Sequence, residues 1–90
     1  MKELKIQRQI IEHFEDLGAA ACKLQAVGRR GWPDILIIVL GMVVFVETKT
    51  PEGRLSQIQK AVHYRIRKAG GKVWVVTSLK ECIGKLINGE

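Results

Sequence analysis

Two carboxylates and a lysine stand in the two most strand-like stretches of this 90-residue chain. Asp34 follows Pro33 and opens the apolar run Ile35-Leu36-Ile37-Ile38-Val39-Leu40, while Glu47 and Lys49 close the run Val43-Val44-Phe45-Val46. Strand side chains alternate between faces, so Glu47 and Lys49 point the same way. Gly41 separates the runs as a tight turn. If Leu40-Gly41 is the turn, Asp34 stands opposite Glu47; if Gly41-Met42 is, it stands opposite Lys49 and diagonal to Glu47. Either register puts all three groups on one face, whereas an odd-length turn sends Asp34 to the other. Directly opposed Cβ atoms are roughly 5 Å apart, within reach of one shared cation. Two carboxylates that close repel unless a cation lies between them. The plain alternative is a surface ion pair between Asp34 and Lys49.

The surrounding pattern is more specific than the triad. Gly28…Gly31-Trp32-Pro33-Asp34, then Glu47-Thr48-Lys49, resembles the PD-(D/E)xK nuclease core, and the fuller pattern resembles the virus-type replication–repair nuclease domain, VRR-NUC. Glu3 and Gln7 match that family's first-helix Glu and Gln. Gly53-Arg54-Leu55-Ser56 followed by Gln59 matches its next segment, and Gly70-Gly71-Lys72-Val73 its last strand. Thr48 stands where a small aliphatic residue is usual, and Trp32 is bulky for its slot; neither departure removes a reacting group.

The resemblance implies roles. Asp34 and Glu47 would ligate Mg²⁺ or Mn²⁺, with the backbone carbonyl of Thr48 completing the protein's share of ligands. The metal would acidify a water and polarise a phosphate. Lys49 would orient that water or stabilise charge on the phosphate in flight. Glu3 and Gln59 would join the catalytic set. Each also has a structural reading: an acid in a first helical turn complements the dipole, and Ser56 and Gln59 have capping-box spacing. Arg29, Arg30, Arg54 and Lys60 flank the motif loops and are read as phosphate contacts, though each fits equally as a solvated charge. His13 and His63 are isolated in sequence and are read as surface residues.

Elements to position these groups follow from periodicity. Residues 3 to 17 read as a helix with Ile10, Ile11, Phe14 and Leu17 inward and Gly18 as its stop. A weak strand spans Ala20 to Ala26, then Asp34 to Leu40 and Val43 to Lys49 pair. A helix runs from Ser56 to Ala69, with Ile58, Ala61, Val62, Ile66 and Ala69 on its inner side. A strand at Lys72 to Thr77 and a helix begun by Ser78 and Glu81 complete the chain. The order is αβββαβα: an α/β domain, residues 1–90, with a small mixed sheet flanked by helices. The resemblance makes it a restriction-endonuclease-like core.

Composition bounds the partners. Fifteen lysines and arginines against nine acids give a net charge of +6, which favours polyanions. Cys22 and Cys82 lack zinc-site spacing and are read as core thiols in a reducing cytoplasm, bacterial or phage-encoded. The longest apolar stretch is too short to span a membrane. Near-continuous apolar strands require both sheet faces covered. With 47% hydrophobic residues in so small a body, some apolar area is expected to remain for a second copy, making a homodimer. The expected activity is an Mg²⁺-dependent endonuclease on branched DNA, resembling Holliday-junction resolvases. A non-catalytic DNA- or partner-binding module on the same fold is the contrasting reading, disfavoured by the intact triad. A restriction-type enzyme lacks an evident base-reading element.

Overall fold

A computed structural model of the chain describes residues 3–24 and 29–90. Gly28 of the loop motif, and the predicted end of the first strand at Gln25 and Ala26, lie outside these residues. The elements are α1 (Glu3–Asp16), β1 (Ala20–Lys23), β2 (Ile35–Val39), β3 (Met42–Thr48), α2 (Gln57–Lys68), β4 (Lys72–Val76) and α3 (Leu79–Ile87), in the expected order. The strands form one mixed sheet, β1-β2-β3-β4, antiparallel except for the parallel β3–β4 pair that the α2 crossover makes possible.

The β2–β3 turn uses two residues, Leu40 and Gly41, both with positive φ (51° and 77°), as in a type I′ hairpin. Val39 therefore pairs with Met42 and Ile35 with Val46. One residue further along that register, Asp34 comes opposite Glu47. Ser56 caps α2, accepting from the Gln59 N–H, and the Gln59 side chain returns a bond to the Ser56 N–H. Ser78 caps α3, but Glu81 reaches back to the N–H of Thr77, one residue before the cap.

Both α1 and α3 pack on one sheet face. Ile6, Ile10 and Phe14 of α1 and Cys82 of α3 join Ile35, Ile37, Val44, Val46, Trp74 and Val76 in the main core. Helix α2 alone covers the other face, where Val62 and Ile66 meet Val73 and the half-buried Phe45 and Trp32. This division corrects four expectations. Leu17 falls beyond the end of α1 and is 67% exposed; the inward stripe is Ile6, Gln7, Ile10 and Phe14, with Ile11 at its margin. On α2 the buried side is Val62, His63 and Ile66, while Ile58, Ala61 and the C-cap residue Ala69 are exposed. Cys22 is exposed, because its register partner Leu36 lies on the β1–β2 half of the second face, which α2 does not reach; Cys82 is the core thiol. Finally, both faces are not covered: Ile38 and Val43, paired across β2 and β3, are 46% and 51% exposed.

Candidate functional site

Asp34, Glu47 and Lys49 come together where β2 begins and β3 ends. The Asp34 N–H donates to the Val46 carbonyl at 3.0 Å, tying the loop to β3 before the strand pairing starts. Asp34 Oδ2 accepts two bonds from Thr48, from its backbone N–H at 2.8 Å and its hydroxyl at 2.9 Å. That hydroxyl in turn accepts from the buried Gln7 amide at 3.1 Å. Helix α1 therefore holds Asp34 through Thr48, so the side chain unusual for the family's pattern has a positioning part of its own.

Glu47 is 1% exposed and faces α2. Its Oε2 accepts from Gln59 Nε2 at 3.2 Å, and its Oε1 lies 3.3 Å from His63 Nε2. Gln59 uses both ends of its amide, the oxygen on the Ser56 cap and the nitrogen on Glu47, so its capping role and its site role are one arrangement. His63 contradicts the surface reading: it is 1% exposed and touches the candidate ligand. A signal existed in the sequence, since Gln59 and His63 are one turn apart on the side that carries Val62 and Ile66. Counting histidine as polar hid it.

The electrostatics follow from these contacts. Burial raises the Glu47 carboxyl to about 8; the Asp34 charge, a hydrogen bond shared with Asp34 and the charge of Glu3 push the same way, while Lys49 opposes. His63 is held below its usual value, chiefly by burial and by the Arg67 guanidinium, so its neutral form is favoured. When Glu47 is ionised, as a bound cation requires, the Nε2 that faces its oxygen is the nitrogen that carries the proton; Nδ1 is buried without a partner among the described residues.

Two carboxyls set opposite each other on neighbouring strands are a place where a cation can bind between them. The donor set is hard oxygen throughout. Among the described residues no three His, Cys, Asp or Glu side chains form a ready metal cage. Mg²⁺ suits such a site, since it keeps several waters and takes only one or two carboxylates. Asp34, Glu47 and the Thr48 carbonyl are the residues that would hold it.

The other candidates are placed as follows. Glu3 is half-buried in the first turn of α1, near enough for its charge to reach Glu47, so the helix-end and site readings both retain support. Arg29, Arg30, Arg54 and Lys60 are all exposed. Lys60 follows Gln59 on the first turns of α2, and Arg54 lies two residues before the Ser56 cap. Gly31 (φ 87°) binds the Asp34 loop to α2: a Cβ there would lie 2.6 Å from Ile58 Cγ2 and 2.8 Å from its carbonyl oxygen.

No family model matches. The chain is 32% identical over 79 residues to "Putative nuclease p44" of Acyrthosiphon pisum secondary endosymbiont phage 1, spanning 87% of this chain and 85% of that protein. A solved structure described as "VRR_NUC domain" superposes with a TM-score of 0.82 at 37% identity, covering 93% of this chain and 92% of its own. A second, "VRR_NUC domain protein", has a TM-score of 0.76 and covers 96% and 85%; at 15% identity it is a likeness of fold. Coverage of 85% or more of each chain at identities above 30%, with a fold that superposes on the solved domain, makes this chain a member of the VRR-NUC family of nuclease domains.

Proposed function

We propose that this chain is an Mg²⁺-dependent endonuclease that hydrolyses phosphodiester bonds in branched DNA, in the manner of a Holliday-junction resolvase, and works as a homodimer. The observation that carries the reading is the β2–β3 register that sets Asp34 opposite Glu47, with Lys49 two residues beyond Glu47 on the same face. When bound, the cation supplies Lewis acidity to the scissile phosphate and lowers the pKa of a water. Asp34 and Glu47 hold it, with the Thr48 carbonyl. Gln59 and the Gln7–Thr48 pair keep the two carboxylates aimed. Lys49 offers its ammonium where negative charge accumulates on the phosphate. Arg29, Arg30, Arg54 and Lys60 engage flanking phosphates, consistent with a +6 chain and with their exposure.

Symmetry supports the dimer and the junction together, because two identical sites related by a two-fold axis match paired incision of a four-way junction. No helix among the described residues is long and apolar enough to cross a membrane. The deciding assay incubates the chain with Mg²⁺ or Mn²⁺ and labelled four-way junction, flap, fork and duplex DNA. Cleavage is expected to favour the branched substrates, to stop with EDTA, and to fall by about 10² or more in Asp34→Ala, Glu47→Ala and Lys49→Ala. Full activity in a folded Glu47→Ala would overturn the assignment. DNA bound without cleavage, even by the wild type, would favour the non-catalytic module.

A further inference from the structure

We infer that His63 is a positioning residue for Glu47: with Gln59 one helical turn before it, it clamps the two carboxylate oxygens and so fixes the direction in which Glu47 meets a divalent cation. The inference rests on the reading that Asp34 and Glu47 hold such a cation.

The geometry is that of one donor per oxygen. Gln59 Nε2 serves Oε2 at 3.2 Å, and His63 Nε2 serves Oε1 at 3.3 Å. The terminal torsion of a glutamate is soft and nearly two-fold, so a single hydrogen bond leaves the carboxylate free to swing. Two donors from one rigid helix stop that rotation. Each oxygen keeps a second lone pair, so the clamp leaves room for a cation on the Asp34 side.

Burial gives a second, independent argument. The inner side of α2 is otherwise the apolar pair Val62 and Ile66, and an aliphatic residue at position 63 would suit that surface. Histidine there leaves Nδ1 buried and without a partner among the described residues. An aliphatic side chain of similar volume would carry no such penalty. For the fold alone the imidazole is therefore an unfavourable choice, and the contact with Glu47 is what it gains. Nor is His63 itself a suitable ligand: Nε2 is engaged with Glu47, and Nδ1 is closed off from solvent. Carboxylates that bind metals are commonly oriented by such outer partners, whose loss lowers metal affinity about 10–100-fold.

The test uses the full chain and Mn²⁺ alone, without DNA, with free Mn²⁺ followed by electron paramagnetic resonance. His63→Leu removes the N–H and keeps apolar bulk. His63→Gln restores an amide N–H at a reach close to that of Nε2. The expected result is a Mn²⁺ Kd raised about 10–100-fold in His63→Leu and largely recovered in His63→Gln. The melting temperature of His63→Leu in EDTA should stay close to that of the wild type, because loss of the unpartnered Nδ1 offsets loss of the donor to Glu47 Oε1. Weaker metal binding in an equally stable protein is an outcome that a purely packing role does not produce. An unchanged Kd in His63→Leu overturns the inference, and so does an equal weakening in both variants. If His63→Leu does not fold, His63→Asn, whose amide is too short to reach Oε1, is compared with His63→Gln in its place; equal Kd values then overturn it. A wild type that binds Mn²⁺ with Glu47→Ala unable to do so, alongside an unaffected His63→Leu, removes the role of His63 and leaves the metal reading standing. A wild type with no saturable Mn²⁺ binding removes both.

Discussion

At the scale of single residues, the site is a place where folding stability is given up for charge density. Glu47 is almost fully buried beside a second carboxyl, and its pKa rises to about 8. The sign follows from linkage: between the ordinary glutamate value near 4.5 and about 8, the folded chain holds a proton that the unfolded chain has released. Stability of the metal-free protein should therefore fall as pH rises through that window and level off above about 8. A divalent cation must displace the same proton, so its affinity should climb about tenfold per pH unit over the upper part of the window and flatten above it. Calorimetric titration of Mg²⁺ in buffers of different ionisation enthalpy would count that proton; a pH-independent affinity with no proton release would contradict the account. Glu47→Gln should remove the repulsion with Asp34, raise the melting temperature in EDTA at pH 8 to 9, and abolish metal binding. In a chain this small, each 1 kcal/mol of relief moves Tm by about 4–8 °C. The candidate acids and lysine could be read in the sequence because their strand spacing is periodic. Thr48 as a bridge to Asp34 could not, since its hydroxyl acts only once α1 delivers Gln7 to it.

At the scale of elements, α2 organises the site. Its cap, its hold on Glu47 and its seat for the Asp34 loop all lie in its first two turns. Two substitutions separate these functions. Ser56→Ala removes the cap and should cost about 1 kcal/mol in denaturant unfolding, with Mn²⁺ affinity reduced only slightly, because Gln59 retains Glu47. Gly31→Ala meets a left-handed backbone conformation and the Ile58 carbonyl together. It should cost about 1–3 kcal/mol and also weaken metal binding, since relieving the clash moves the loop bearing Asp34 away from α2. Wild-type metal affinity in Gly31→Ala would show that the loop adapts without shifting Asp34. Most element boundaries were legible because they rest on local signals: Ser56 and Ser78 as caps, Gly41 as a turn, apolar runs as strands. The facing of α2 was not. The stripe drawn through Ile58 and Ala61 is a sound apolar pattern, but the docked helix is rotated to bury His63, because a carboxylate on β3 competes for that side. Cys22 was missed for a related reason: which half of a sheet face a helix covers is not written in the strand itself.

At the scale of the whole molecule, the unequal distribution of helices leaves a surface to account for. Two helices share one sheet face, and α2 covers only the β3–β4 half of the other. Ile38 and Val43 stand paired and half-exposed on the remaining part, beside Leu36 and the exposed Cys22, with Leu40 82% exposed at the hairpin tip. Grouped apolar residues of this kind on a small domain are the usual mark of an interface, whereas scattered ones are ordinary. A second copy meeting this face through a two-fold axis would bury like against like and leave the Asp34–Glu47 end of the sheet open to DNA. The direct measurement is sedimentation equilibrium at micromolar concentration. Wild type is expected at twice the 10.1 kDa chain mass. Ile38→Asp or Val43→Lys is expected near the chain mass, with folding intact, since neither side chain belongs to the buried clusters. Metal affinity should be preserved in these variants, because Ile38 and Val43 lie at the hairpin end of the two strands, four residues along the chain from Asp34 and Glu47. Paired incision of a four-way junction should fall much further than nicking of either strand alone. A wild type that sediments as a monomer at all concentrations would remove the dimer and the symmetric-junction argument with it. Two variants that remain dimeric would instead move the interface to another surface.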